Sequence, residues 1–412
     1  MSKQIYVFAD WEVFSKPELI GILSSDIVRG KENFRFSYDN DWLRSSYVQQ
    51  IDPNLYLYPG EQYSTSTQNF HIFLDSCPDR WGRLLMKRRE AVIASKEERK
   101  PKLLTESDYL LGVHDMNRMG ALRFKTRLDG PFLDNNNCLA APPISSLKEL
   151  EFAAIQLENS NNIDDPDYLK WLHMLISPGS SLGGARPKAS VIDDVEQLWI
   201  AKFPSRYDDY DIALWEYLAY RLAVQSSIDM ANCRVERFNQ EHHTFLTQRF
   251  DRINKKRHHF TSALTQLSYY DGNYEASYLE IAQFLTENGS QVRIDLAQLW
   301  RRIVFNIAIS NTDDHLRNHG FIYKNNGWSL SPAYDLNPVP FSQGLHLNIT
   351  DSDNRLDYQL AFDVADFFQL SPIQAKKIYD EVMTVVKGWQ RVATEVGISR
   401  QEQERMKFSF NV

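Results

Sequence analysis

Four residues separate Asp313 from Asn318 in Asn311-Thr312-Asp313-Asp314-His315-Leu316-Arg317-Asn318. Asp-x₄-Asn is the spacing of a phosphoryl-transfer loop. There the carboxylate takes the proton of an attacking hydroxyl, and the amide oxygen faces Mg²⁺. Farther on comes Tyr334-Asp335-Leu336, preceded by Asn325-Asn326-Gly327 between two apolar runs. Asn-Gly in that setting signals a hairpin, which would return Asp335 to the same metal. Carboxylate and amide oxygens suit this hard cation. Arg317 is close enough in sequence to neutralise charge on a transferring phosphoryl group. The competing reading is an Asn/Asp-rich turn capping a helix. His315 and His319, four apart on a loop, read as structural hydrogen-bonding groups rather than a metal pair, with His315 also counted among nucleotide-facing residues.

Three upstream stretches could serve the same chemistry. Ser180-Ser181-Leu182-Gly183-Gly184-Ala185-Arg186-Pro187-Lys188 combines small residues, whose amides can approach phosphate, with two cations. It is not a GxxxxGK[ST] loop, because Ala189 follows Lys188, and a plain helix-to-strand turn would read the same way. Lys202 sits inside the apolar run Trp199-Ile200-Ala201-Lys202-Phe203. Buried there it needs an anion, and Glu216 on the following helix is placed to be one. An edge-strand lysine snorkelling to water is the alternative. Gln248-Arg249-Phe250-Asp251-Arg252 ends a strand where a kinase presents backbone to adenine.

Elements must position these groups. Residues 1–130 read as an α+β subdomain, with strands at Ile5–Phe8, Leu19–Leu23 and the alternating Phe34–Tyr38, then a helix whose first turn holds Pro78 and Asp79. The polar stretch Asp134–Asn137 and Pro142-Pro143 marks a boundary. Residues 131–252 read as a small lobe, with 147–177 helical and then the Gly-rich loop and the Lys202 strand. Residues 253–412 read as a helical lobe. Its Leu296, Leu299, Trp300, Ile303, Val304 and Ile307 form a helical stripe leading into the Asp313 loop.

Composition narrows the choice. The 412 residues are 43% hydrophobic and 24% charged, with a net charge of −8. So acidic a chain is not expected to coat nucleic acid alone. Cys77, Cys138 and Cys233 form no metal-ligand pairing, and their odd number suits a reducing, cytoplasmic compartment. The N-terminal residues lack a signal-peptide apolar stretch, and no apolar run reaches membrane-spanning length.

In this order, Gly-rich loop, strand Lys, helix Glu, connecting strand, catalytic Asp-Asn and metal Asp, the chain resembles the HipA family of bacterial serine/threonine kinases, toxins of type II toxin–antitoxin pairs. Ser181–Lys188, the Lys202 strand, Glu216-Tyr217, Arg249–Arg252, Thr312–Asn318 and Tyr334-Asp335 carry the resemblance, as do Asp75–Gly82 and Asp108–Gly112. The resemblance implies an α+β, two-lobed, phosphoinositide-kinase-like fold that uses ATP and Mg²⁺. It implies Lys202 on the ATP phosphates, Asp313 as catalytic base assisted by Arg317, and Asn318 and Asp335 on metal. Nucleotide-facing residues would be Ser181, Leu182, Gly183, Gly184, Ala185, Arg186, Lys188, Lys202, Glu216, Gln248, Arg249, Phe250, Asp251 and His315. Ser181, or its neighbour Ser180, is similar to the family's inhibitory autophosphorylation site: a phosphate of about −2 charge there would repel the nucleotide. Implied partners are a protein substrate and a small helix-turn-helix antitoxin of HipB type, with operator DNA reached only through the antitoxin. Gln248 departs from the family, which often has Glu before Arg-Phe-Asp.

Two other readings carry distinct consequences. A catalytically weak nucleotide-binding protein could act as an antitoxin-bound co-repressor. A metal-dependent hydrolase could use Asp313, Asp314, His315 and His319.

Overall fold

The computed structural model describes residues 2–64, 69–135, 141–159, 167–176, 184, 186–238, 242–270, 272 and 275–412. These residues pack as two units. The first comprises 1–207 with 251–261, the second 208–250 with 262–412.

The first unit is built on an antiparallel sheet. Strands β1 (Lys3–Ala9), β2 (Glu18–Val28), β3 (Lys31–Tyr38), β4 (Glu61–Tyr63) and β5 (Leu122–Lys125) lie in the order β4-β3-β2-β1-β5. Period-two alternation sets its faces. Phe34, Phe36 and Tyr38 point into the core, while Arg35 and Ser37 stay partly exposed. Ile5, Val7, Leu23, Phe36, Phe73 and Phe124 form the centre of that core. Burial of each such side chain stabilises the unit by about 1.5–3 kcal/mol. Helix α1 (Arg80–Lys96) follows; Asp79 caps it from outside the first turn, accepting from the Gly82 amide at 2.8 Å.

Within residues 147–177 the structure has two helices, α2 (Leu147–Asn159) and α3 (Tyr168–Ile176). The sequence between them includes Asn161, Asn162, Asp164, Asp165 and Pro166, all poor helix formers. The hairpin of β6 (Lys188–Ile192) and β7 (Leu198–Lys202) places Lys188 directly opposite Lys202. Residues 251–261 return to this unit. Asp251 accepts from the Gly120 amide at 2.8 Å, and Arg252 donates to the Gly120 and Arg118 carbonyls at 2.9 and 2.6 Å. His259 stacks on Trp11 at 4.6 Å.

The second unit begins with α4 (Ile212–Gln225) and the paired strands β8 (Cys233–Glu236) and β9 (Thr244–Gln248). Helices α5 (Tyr278–Asn288) and α6 (Val292–Ile309) follow. The stripe on α6 is fully buried, with Leu296, Leu299, Trp300, Ile303, Val304 and Ile307 all at 0% exposure. Strands β10 (Gly320–Lys324) and β11 (Gly327–Leu330) form the hairpin. Its two central residues are Asn325 and Asn326, at φ +52° and +59°. Gly327 instead pairs with Lys324, so the turn is Asn-Asn with glycine just after it. A Cβ on Gly327 would lie 3.0 Å from the Ser290 nitrogen and 3.1 Å from the Asn288 oxygen, which explains the glycine by close approach. Helices α7 (Pro372–Val386), α8 (Trp389–Val396) and α9 (Arg400–Met406) complete the unit. Among the described residues no helix is long and apolar enough to cross a membrane.

Candidate active site

Helix α6 ends at Ser310, whose left-handed backbone (φ +49°) reverses the chain into the Asp313 loop. The loop is fixed from below by Asp314, which is 1% exposed. One Asp314 oxygen, Oδ2, receives the Tyr278 hydroxyl at 2.5 Å, the Asn306 amide at 2.8 Å and His319 Nε2 at 2.8 Å. Burial works against the charge on Asp314, but His319 and the Tyr278 hydroxyl outweigh it and hold the carboxyl below its ordinary range. Burial, then Asp314, pushes Tyr278 far up, so it stays a neutral donor. With Asp314 anchored inside, its neighbour Asp313 stands exposed. Asn318 Nδ2 donates to the Asp313 carbonyl at 3.0 Å, leaving the amide oxygen as the group for a cation.

The Asp335 segment is stitched to this loop. Tyr334 donates its hydroxyl to the Arg317 carbonyl at 2.7 Å, the Asn337 amide to Asn311 Oδ1 at 3.2 Å, and the Val339 amide to the Ser310 carbonyl at 3.2 Å. Asp335 itself lies at φ +61°, a conformation that costs a non-glycine residue about 1 kcal/mol or more and is held by its surroundings. Arg302 on α6 is 2% exposed and donates to the Ser331 carbonyl at 2.5 Å. Burial lowers its guanidinium to about 10, against the pull of Asp314 and Asp229. Its Nε and Nη1 meet no hydrogen-bond partner among the described residues.

Phe250 stacks on Tyr334 at 5.6 Å, so the end of the connecting strand meets the Asp335 segment. The Gln248 side chain accepts from Asn232 Nδ2 at 2.8 Å, giving this departure from Glu a local partner. Arg249 is buried at 2%. His315 lies edge-on to His346 at 5.7 Å, and burial, then His315, lowers His346. Glu216 is buried on α4.

The second unit therefore brings Asp313, Arg317, Asn318, Asp335 and Phe250 into one neighbourhood. Asp314 and His319 are inward-facing partners, so the four-residue hydrolase set does not share one face. Among the described residues no group of three or more His, Cys, Asp or Glu could hold a metal. The Asn318 amide and Asp335 carboxylate would supply oxygen donors of the kind a hard cation such as Mg²⁺ takes.

Gly184, Arg186, Lys188, Lys202 and Asp251 belong to the first unit. Lys202 is half-exposed, whereas Lys188 is 1% exposed and ion-paired with Asp79 at 2.8 Å. Asp251 is fully buried against Arg252 and the Gly120 turn. Ser180, Ser181, Leu182, Gly183 and Ala185 lie outside the described residues.

The sequence left out Tyr278, Asn306 and Arg302, whose separation from the loop gives no local signal. The tandem Asp313-Asp314 was visible, but residue type alone does not say which one faces solvent.

Residues 180–389 match the model of the HipA-like C-terminal domain, half of the chain. The chain belongs to the HipA-like family. A Haemophilus influenzae protein described as a kinase is 28% identical, over 39% of this chain and 54% of that one. The match thus spans about half the length of that relative. Among solved structures, the Shewanella oneidensis HipA of a toxin–antitoxin complex with HipB and operator DNA superposes with a TM-score of 0.66. Its identity is 17%, and the match covers 98% of this chain and 94% of that one. The fold is accordingly the kinase-like, two-lobed fold of the family.

Proposed function

We propose that the chain is an ATP- and Mg²⁺-dependent protein serine/threonine kinase and the toxin of a toxin–antitoxin pair. One observation carries this reading. Exposed Asp313 is set beside Asn318 by the buried Asp314 cluster, and the Asp335 segment is tied to the same loop by three hydrogen bonds.

In this reading Asp313 accepts the proton of a serine or threonine hydroxyl. The hydroxyl oxygen bonds to the γ-phosphorus of ATP, the bond from that phosphorus to its bridging oxygen breaks, and ADP leaves with that electron pair. Asn318 and Asp335 would hold Mg²⁺, which neutralises charge on the phosphates when bound. Arg317 would add charge at the transferring group, and Lys202 is the lysine assigned to the ATP phosphates. Ser181 or Ser180 is the proposed site of inhibitory autophosphorylation.

The partner is proposed on the Shewanella relative, which was solved with HipB and operator DNA. A net charge of −8 suits a small basic, DNA-binding antitoxin as the bridge to operator sequence. Asp313→Gln should lower transfer of labelled γ-phosphate to itself or to lysate protein by roughly 10²–10⁴. Equal transfer by wild type and variant, or none by wild type, would overturn the kinase reading. Operator repression retained by the inactive variant would favour the co-repressor reading instead.

A further inference from the structure

Asp79 holds more than its helix. One oxygen caps α1 through the Gly82 amide, and the other lies 2.8 Å from Lys188 Nζ. The two side chains are 4% and 2% exposed. Two residues along, Trp81 Nε1 donates to the Lys188 carbonyl at 3.1 Å. One turn of α1 therefore grips both the ammonium and the main chain of residue 188. That residue opens β6, at the end of the Gly-rich stretch. Gly184, at φ +95°, lies so near that a Cβ there would sit 3.6 Å from Lys188 Nζ.

The strand register shows why the grip matters. Lys188 and Lys202 are directly opposite on antiparallel strands, where like charges repel. An unpaired ammonium as buried as that of Lys188 would also be costly. Asp79 answers both demands by neutralising Lys188.

We propose that Asp79 is a positioning residue acting through Lys188: the Asp79–Lys188 pair fixes the start of β6 and, through the strand pairing, the register of Lys202 on β7, the lysine assigned to the ATP phosphates. This rests on the kinase reading above. It also gives the Asp75–Gly82 segment a function: it fixes the β6–β7 hairpin from an element more than a hundred residues earlier.

A double-mutant cycle on the full chain tests it, with Asp79→Asn, Lys188→Met and the double variant. Two quantities are read: Mg·ATP affinity by calorimetry, and amide hydrogen exchange over residues 186–192 without nucleotide. Each single variant should weaken Mg·ATP binding roughly tenfold and speed exchange over 186–192, and the double should be no weaker than the worse single. Fold-losses that multiply would overturn the proposal, because Asp79 would then not act through Lys188. Weaker binding by Lys188→Met with unchanged exchange would make Lys188 a phosphate ligand and overturn it as well. So would a lowered melting temperature with unchanged affinity, which would mark the pair as structural only. If the wild type binds no Mg·ATP, the kinase reading fails separately, and the exchange measurement decides the anchor: protection lost in Asp79→Asn supports it, protection kept overturns it. Should Asp79→Asn not fold, Trp81→Phe removes only the indole N–H, and the same two readings apply.

Discussion

At the residue scale the site turns on two adjacent aspartates with opposite environments. Asp313 is exposed, while Asp314 is enclosed by Tyr278, Asn306 and His319. Removing a buried, hydrogen-bonded charge of this kind costs about 3–5 kcal/mol. Asp314→Ala should lower the unfolding free energy by that amount in urea titration, whereas Asp313→Gln should leave it within about 0.5 kcal/mol while lowering transfer by roughly 10²–10⁴. Similar stability losses in both variants would mean that the two carboxylates share the anchoring role. The Asp-x₄-Asn spacing was legible because it lies within one loop. The inward role of Asp314 was not, because its donors come from residues 278, 306 and 319. Arg302 was invisible for the same reason. On the buried face of α6, it holds the Ser331 carbonyl at the end of the strand that leads to Asp335. Arg302→Met should therefore weaken Mg²⁺ dependence at least as strongly as it lowers stability. A stability loss with an unchanged Mg²⁺ titration would reduce Arg302 to a core residue.

Elements with strong local signals were read correctly from sequence. The α6 stripe and the alternation in β3 follow from periodicity alone. The hairpin was legible as a hairpin, but its turn is Asn325-Asn326, since both asparagines tolerate positive φ. The place of Gly327 depends on Ser290 and Asn288, which no local pattern discloses. Gly327→Ala should destabilise the second unit by about 1–3 kcal/mol through overpacking and reduce transfer by displacing Asp335. Chemical denaturation with a parallel activity assay checks both, and an unchanged midpoint would show that the 288–290 segment yields easily. The stretch 147–177 reads as helical from its apolar pattern, and the structure forms two helices within it, on either side of a sequence rich in Asn, Asp and Pro.

Across the whole molecule, buried titratable groups set the response to pH. Burial, only partly offset by Glu12, holds His259 down at about 3 in the folded chain, against about 6.5 when exposed. The unfolded chain takes up that proton first. The stability this imidazole contributes is therefore complete above about pH 6.5 and is lost as pH falls toward 3, by up to about 5 kcal/mol. Asp52 acts in the opposite sense. Burial raises it to about 6, so its contribution is present below its ordinary value and lost as pH rises through 6. His259→Phe, which keeps a ring against Trp11, should flatten the decline in melting temperature between pH 6.5 and 4. A decline as steep as in wild type would assign the acid sensitivity to other groups.

The return of residues 251–261 to the first unit also orders events during synthesis. A ribosome that has reached residue 207 has made every strand of the five-stranded sheet but not the clasp of Asp251 and Arg252 on the Gly120 turn. That unit can be completed only after residues 208–250 have been translated, so its final closure is delayed until the second unit has begun to emerge.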